Sequence, residues 1–162
     1  MKPEKKLAVA LKDAGVTLAL AESCTGGAVA DRLVALPGIS EVFRGGVVAY
    51  TDEVKREVLG VSPETLEEHT AVSEAVAREM AEGALRLFSS DLAVSVTGIA
   101  GPGGATPCTP VGRVLIGLAT AEGSRAFGFH FRGGRQAVRR KAVRWALDLA
   151  LSEIQMMRIN KT

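Results

Sequence analysis

Apolar residues recur at helical spacing over about residues 4 to 14, where Leu7, Val9, Ala10, Leu11 and Ala14 form one face of a short amphipathic helix that Gly15 ends. The pattern then changes. Val16–Ala21 (VTLALA) is an unbroken apolar run of strand length, and it stops at the polar and glycine residues Glu22–Gly27 (ESCTGG). AVADRLVAL resumes helical periodicity until Pro37-Gly38, so this stretch reads as strand, tight turn, helix. A second strand is predicted over Val42–Tyr50, with Gly45-Gly46 marking a bulge or a close backbone approach, and Thr51 caps a helix that carries Lys55. A short helical turn over 63–68 precedes a longer helix opened by Ser73. Leu92–Val96 is a third buried strand, and it runs into Thr97–Gly104, a segment too rich in Gly and Pro to be helix or central strand. Val114–Thr120 and Arg125–Phe131 read as two strands of a hairpin joined through Glu122-Gly123, and a helix from about 135 to 157 closes the chain.

Helices alternating with buried strands predict an α/β fold, a three-layer α/β/α arrangement on a mixed, mostly parallel sheet. The hairpin requires at least one antiparallel strand. No repeat, low-complexity tract or linker interrupts the 162 residues, so one domain over 1–162 is expected. A chain of this length buries roughly 70% of its unfolded surface and holds a core without metal or disulfides. In open α/β sheets ligands gather at the carboxyl ends of the strands, which directs attention to residues 22–27 and 97–104.

Composition narrows the function. Aromatic residues make up only 4% of the chain against 18 glycines, which disfavours a single-stranded nucleic-acid binder built on exposed rings. Cys24 and Cys108 are too few for a disulfide framework and lack zinc-site spacing, so a reducing cytoplasm is the expected compartment. The start has no continuous apolar core of a signal peptide, and no run reaches the roughly 20 apolar residues of a membrane span. The net charge of +2 conceals an asymmetry: from Arg125 onward nine Lys/Arg face two acids, leaving −5 for the rest. That basic end suits a phosphate, an acidic partner or nucleic acid, and equally the solvated face of a last helix.

Ser23 lies between a strand end and a helix start, where a side chain projects from a sharp turn and the N–H groups of Thr25, Gly26 and Gly27 are open to an oxyanion or phosphate. An ordinary helix-capping residue is the plainer alternative. Ala21 and Thr25 stand where a G-x-S-x-G elbow has glycines, so a standard α/β-hydrolase is disfavoured. His69 and His130 both sit in contexts that read as structural or surface. Lys55, five residues after Tyr50, serves as a base if desolvation or a nearby cation lowers its pKa; otherwise it is a solvated lysine beside Arg56. Cys24 is a rival nucleophile at the same helix start, and local sequence does not separate it from Ser23. The loop 98–112 has amides to cradle a phosphate but neither a P-loop nor a dinucleotide fingerprint. Arg135, Arg139 and Arg140 are available as counter-charge.

Four ordered segments, LALAESCTGG (18–27), PGISEVFRGGVVAYTDEVKREVLGV (37–61), AVSEAVAREMAEGA (71–84) and VTGIAGPGGATPCTPVG (96–112), closely resemble the CinA carboxy-terminal domain family, the nicotinamide-nucleotide amidases. The resemblance covers about residues 5 to 155. It implies hydrolysis of the carboxamide of nicotinamide mononucleotide, a mixed sheet between helical layers, no cofactor and no metal, a homo-oligomer, and a small-molecule pyridine nucleotide as the binding partner rather than nucleic acid or membrane. It places the nucleophile on Ser23 and the base on Lys55, with Tyr50 assisting. Thr25, Gly26, Gly27, Thr97, Gly98, Gly101, Gly103 and Gly104 are implied as substrate contacts, and Arg139 as a phosphate contact. A larger amino-terminal domain carried by many relatives is absent from this sequence, which resembles the standalone form. Two departures stand out: Cys108 and Thr109 where the family has an acid and a lysine, and Thr70 where it has glycine. The alternative from another class is a non-catalytic nucleotide-binding regulatory module linked to competence or recombination.

Overall fold

The computed structural model describes residues 1–160. Its elements are α1 (Pro3–Ala14), β1 (Leu18–Glu22), α2 (Ala28–Val34), a 3-10 turn (Ile39–Glu41), β2 (Phe43–Val48), α3 (Asp52–Leu59), α4 (Pro63–His69), α5 (Glu74–Phe88), β3 (Leu92–Gly98), β4 (Arg113–Thr120), β5 (Gly123–His130) and α6 (Arg135–Ile159). The strands form one sheet in the order β2-β1-β3-β4-β5. β1 runs parallel to both neighbours, and β4 is antiparallel to β3 and to β5, so four strands share a direction and β4 alone is reversed.

Side-chain size along the strands builds the layers. In β1, Leu18 and Leu20 join the apolar cluster under α1, α2 and α6, while Ala19 and Ala21 join a second cluster with Leu59 of α3 and Val76, Met80 and Ala84 of α5. Alternation at period two sends large residues to one face and small ones to the other. The small face lets α5 approach closely. A Cβ at Gly117 of β4 would lie 2.3 Å from the Ala77 carbonyl oxygen, and Ser95 of β3 donates its hydroxyl to that same carbonyl. The expected three-layer α/β/α fold with a mixed, mostly parallel sheet is therefore what forms.

The bulge foreseen at Gly45-Gly46 falls one residue earlier: Leu18 pairs with Phe43 and Ala19 with Gly45, leaving Arg44 unpaired. Gly45, at φ 142°, still marks a close approach, because a Cβ there would meet the Phe88 ring at 2.8 Å. β1 extends to Glu22, one residue past the apolar run, and β2 ends before Ala49 and Tyr50. Among the described residues no helix is long and apolar enough to cross a membrane.

The topology creates a crevice. β1 leaves toward α2 on one face of the sheet while its neighbour β2 leaves toward α3 on the other, so the two connections diverge at the carboxyl ends of adjacent parallel strands.

Candidate active site

A cavity of about 270 Å³ opens at that crevice, lined by Ser23 and Cys24 after β1, Tyr50, Asp52 and Lys55 after β2, Ala71 and Val72 before α5, Thr97, Gly98 and Ala100 at the end of β3, and Arg135 at the start of α6. Ser23, Tyr50, Lys55, Thr97 and Gly98 are thus brought together from separate stretches of chain.

Lys55 is the most buried long side chain of the site, 2% exposed. Thr51 caps α3 by accepting from the Val54 N–H at 3.3 Å, which starts the helix one turn before Lys55 and turns this residue inward beside Leu59. Burial lowers its pKa below the ordinary lysine value, with Asp52 and Cys24 pulling the other way. The Asp52 carboxylate stands 3.8 Å from Nζ and is itself largely exposed, so it screens poorly as a counter-ion.

Cys24 is also buried, and burial pushes its thiol up to about 11. A thiol held protonated is a poor nucleophile. Ser23, its neighbour, is likewise buried and lines the same cavity as the Lys55 amine. The two adjacent residues thus share the cavity and differ in chemistry, a hydroxyl beside a thiol that burial keeps protonated.

The turn behind Ser23 is held from both sides by charge. Glu22, 2% exposed, accepts the Val29 N–H at 2.8 Å on one carboxylate oxygen and the Ala30 N–H at 3.1 Å on the other. An internal anion thus caps the first turn of α2. From α6, Arg139 donates Nε to the Cys24 carbonyl at 3.0 Å, Nη2 to the Thr25 carbonyl at 2.9 Å and Nη1 to Gln136 at 3.2 Å. Gly26 (φ 60°) and Gly27 (φ 97°) supply the left-handed backbone that closes the turn. The Gly26 N–H is taken by the Ser23 carbonyl at 3.0 Å. The N–H groups of Thr25 and Gly27 form no hydrogen bond among the described residues. Thr25 is fully buried and its hydroxyl has no partner among them.

Thr25, Gly26 and Gly27 shape this turn from behind rather than lining the cavity. Arg139, expected at a phosphate, has all three guanidinium nitrogens engaged with the turn and α6. Arg135, one helical turn earlier, occupies the cavity mouth instead. It donates to the Gly101 carbonyl at 2.8 Å and to the Tyr50 hydroxyl at 3.1 Å. Gly101 reaches the site through that carbonyl, whereas Gly103 and Gly104 are exposed and outside the lining.

Three participants had no clear signal in the sequence. Glu22 reads as a turn residue until the strand is seen to include it, Asp52 as a helix-start acid, and Ala71-Val72 as an ordinary connection. The last pair forms a wall: Thr97 donates its hydroxyl to the Ala71 carbonyl at 2.8 Å, and Ser73 donates to the Thr70 carbonyl at 2.9 Å. Thr70 adopts φ 65° and ψ 166°, a region that glycine enters freely and that costs other residues about 1–3 kcal/mol. Cys108 and Thr109 lie in the loop after β3, apart from the cavity lining. His69, more than half exposed at the end of α4, lies beside Glu68, and neither it nor His130 lines the cavity. Among the described residues no group of three His, Cys, Asp or Glu side chains is placed to hold a metal ion.

Comparison with known proteins gives one consistent relationship. The family model for the CinA C-terminal domain matches residues 1–154. A CinA-like protein of Thermosynechococcus vestitus is 51% identical over 142 residues, covering 86% of this chain and 34% of its own. Another, of Thermotoga maritima, is 46% identical over 147 residues, covering 91% of this chain and 36% of its own. The chain thus spans about a third of the length of these relatives. Among solved structures, a competence-damaged protein (CinA) superfamily protein of Klebsiella pneumoniae superposes with a TM-score of 0.92 at 38% identity, covering 95% of this chain and 96% of the other. One from Escherichia coli gives a TM-score of 0.87 at 35% identity, covering 93% and 90%.

Proposed function

The chain belongs to the CinA C-terminal domain family, and from that footing we propose that it hydrolyses the carboxamide of nicotinamide mononucleotide to nicotinate mononucleotide and ammonia. Ser23 is the nucleophile and Lys55 its base in this reading. The observation that carries it is the buried Lys55, its pKa lowered, in one cavity with a serine whose neighbouring cysteine is held protonated.

Neutral Lys55 accepts the Ser23 proton as Oγ bonds to the carboxamide carbon. The carbonyl oxygen becomes an oxyanion, which an unbonded backbone N–H of the Ser23 turn stabilises. The C–N bond then breaks, and the proton held by Lys55 passes to the leaving nitrogen, so ammonia departs neutral. Water repeats the sequence on the acyl-enzyme and frees the carboxylate. Tyr50 accepts a hydrogen bond from Arg135, which leaves its own O–H proton free to assist transfer.

The substrate fits the cavity in parts. At about 270 Å³ it is smaller than most small-molecule pockets, which suits the reacting ring between the apolar walls of Ala71, Val72 and Ala100. Ribose and phosphate then lie at the mouth, where the Arg135 guanidinium is the nearest available cation for the phosphate. The pyridinium charge of the substrate makes its carboxamide more electrophilic and further disfavours a protonated Lys55.

Ammonia release from the mononucleotide tests the proposal. Ser23→Ala and Lys55→Ala are expected to lose at least about 10³-fold in kcat, while Cys24→Ala, which removes a buried packing atom, keeps most of the activity. Full activity in Ser23→Ala rejects the nucleophile, and loss only in Cys24→Ala moves the role one residue along. A related structure bears the name competence damage-inducible protein A, and a link to competence is what the second reading, a non-catalytic nucleotide-binding regulatory module, would share with it. Saturable binding of the mononucleotide with no ammonia over prolonged incubation distinguishes it.

A further inference from the structure

We propose that Arg139 is a positioning residue for the Ser23 turn: by holding the Cys24 and Thr25 carbonyls toward α6 it fixes the two peptide planes that follow Ser23 and with them the place of its hydroxyl in the cavity. This rests on the amide-hydrolase reading above.

The geometry supports it in three steps. A trans peptide is planar, with C=O and N–H on opposite sides, so anchoring the Cys24 carbonyl at 3.0 Å fixes the Thr25 N–H in the reverse direction. The Thr25 carbonyl, anchored at 2.9 Å, fixes the next plane in the same way, and the Gly26 N–H in that plane is already bonded to the Ser23 carbonyl. Two consecutive peptide planes are therefore set by one planar guanidinium whose third nitrogen is tied to Gln136. The flanking glycines at positive φ give the turn little stiffness of its own, so the restraint has to come from outside it. On the opposite side Glu22 fixes the start of α2 through the Val29 and Ala30 N–H groups. The turn that carries Ser23 is thus held on one side by a carboxylate and on the other by a guanidinium.

A guanidinium occupied by three internal acceptors is poorly placed to grip a phosphate as well. Arg135, which lines the cavity and among the described residues has only its two Nη groups engaged, by the Gly101 carbonyl and the Tyr50 hydroxyl, is the better placed for that task. The two arginines, four residues apart on one helix, thus divide into an anchor for the substrate and an anchor for the turn.

The test compares nicotinamide mononucleotide with nicotinamide riboside, which lacks the phosphate, in Arg135→Ala, Arg139→Gln and Arg139→Lys. Arg139→Gln is expected to lower kcat about 10²-fold on both substrates with KM nearly unchanged, the loss that a displacement of about 1 Å in a reacting group causes. Arg139→Lys, which restores a charge but not the fork, recovers part of it. Arg135→Ala is expected to raise KM for the mononucleotide alone. A rise in KM confined to the mononucleotide in Arg139→Gln makes Arg139 the phosphate anchor and overturns the proposal. Amide hydrogen exchange at Thr25–Ala28 supplies a readout independent of turnover: faster exchange is expected in Arg139→Gln and, less so, in Arg139→Lys. Unchanged exchange in both variants overturns the clamp even if the wild type turns over; faster exchange in an inactive wild-type background leaves the clamp standing and rejects only the amidase reading.

Discussion

The turns that follow β1 and β3 are both glycine-rich, both leave the carboxyl ends of adjacent parallel strands, and they are built in opposite ways. The first, 23–27, is short and mostly buried, and its shape is set by two ions that come from outside it, Glu22 below and Arg139 from α6. The second, 99–112, is largely exposed from Pro102 to Cys108. Backbone bonds hold its base, Ile99 N–H to Arg113 O at 2.9 Å, Gly112 N–H to Ile99 O at 2.7 Å, Phe131 N–H to Gly112 O at 2.8 Å and Arg113 N–H to Pro110 O at 3.2 Å, a further turn joins Thr106 and Thr109, and one arginine, Arg135, reaches the Gly101 carbonyl. Glycine permits a solvated reversal in the second turn and a reversal gripped by charge in the first. A glycine motif alone therefore does not tell one kind of turn from the other; the charged groups around it do, Glu22 and Arg139 at the first and the single Arg135 bond to Gly101 at the second.

Removing the first turn's inner anion is expected to have the largest effect on stability. Glu22→Ala leaves the Val29 and Ala30 N–H groups buried without an acceptor, at a cost of about 3 kcal/mol. Urea unfolding should show a lower midpoint at unchanged m-value. Glu22→Gln, which keeps one acceptor oxygen, should lose less. If Glu22→Ala unfolds at the wild-type midpoint, the two turns are held by similar means and the contrast between them fails.

Protonation of Lys55 tests the chemistry beside that turn. Burial places its pKa in the folded protein below the value of the unfolded chain. Two consequences share a sign. As base, the neutral amine is depleted below the folded pKa, so kcat/KM should fall tenfold per pH unit there and level off above it. For stability, the unfolded chain binds more protons between the folded value and the ordinary lysine value. Stability therefore rises with pH across that window and is lost as pH falls through it toward the folded pKa. Lys55→Met should be inactive yet resist unfolding better than wild type at low pH, since no buried amine has to be charged. A stability difference between the two proteins that stays flat from acid pH up to the ordinary lysine value would show that Lys55 is solvated in the native state.

The elements themselves were legible in the chain: the apolar run that holds β1, helices ended at Gly15 and at Pro37-Gly38, and the Glu122-Gly123 hairpin all act locally. Ser23 and Lys55 stand out as candidates from their places after strand ends, with Cys24 and a solvated lysine open beside them, while Tyr50, Thr97 and Gly98 enter as site residues through the family resemblance; the fold brings all five to one cavity. Glu22 was not legible, since a carboxylate that ends an apolar run looks like the first residue of a turn, and its partners lie across that turn on α2. Arg135 and Arg139 illustrate a second limit. They lie one helical turn apart on the same face, so periodicity treats them alike, and only the packing of α6 against the Ser23 turn assigns one to the turn and the other to the cavity mouth. Cys24 and Ser23 differ through the environment of the thiol, a property of the assembled fold.

The smallest effects are expected in the second turn, and a pair of its glycines sharpens the contrast from the other direction. Gly101 sits at φ 83°, and a Cβ there would lie 2.5 Å from Cγ1 of Val111, so Gly101→Ala combines an unfavourable backbone with a collision. A loss of about 2 kcal/mol is expected, together with weaker substrate binding, because the Gly101 carbonyl is what Arg135 holds. Gly103, two residues on, has no positive φ, and a Cβ there would have no neighbour within 4 Å. Gly103→Ala should change stability by less than about 0.5 kcal/mol and leave ammonia release near wild type. Thermal unfolding and steady-state kinetics of the two variants side by side decide the matter. Equal losses at both positions would mean that the exposed part of this turn folds onto substrate and belongs to the site as fully as the turn that carries Ser23.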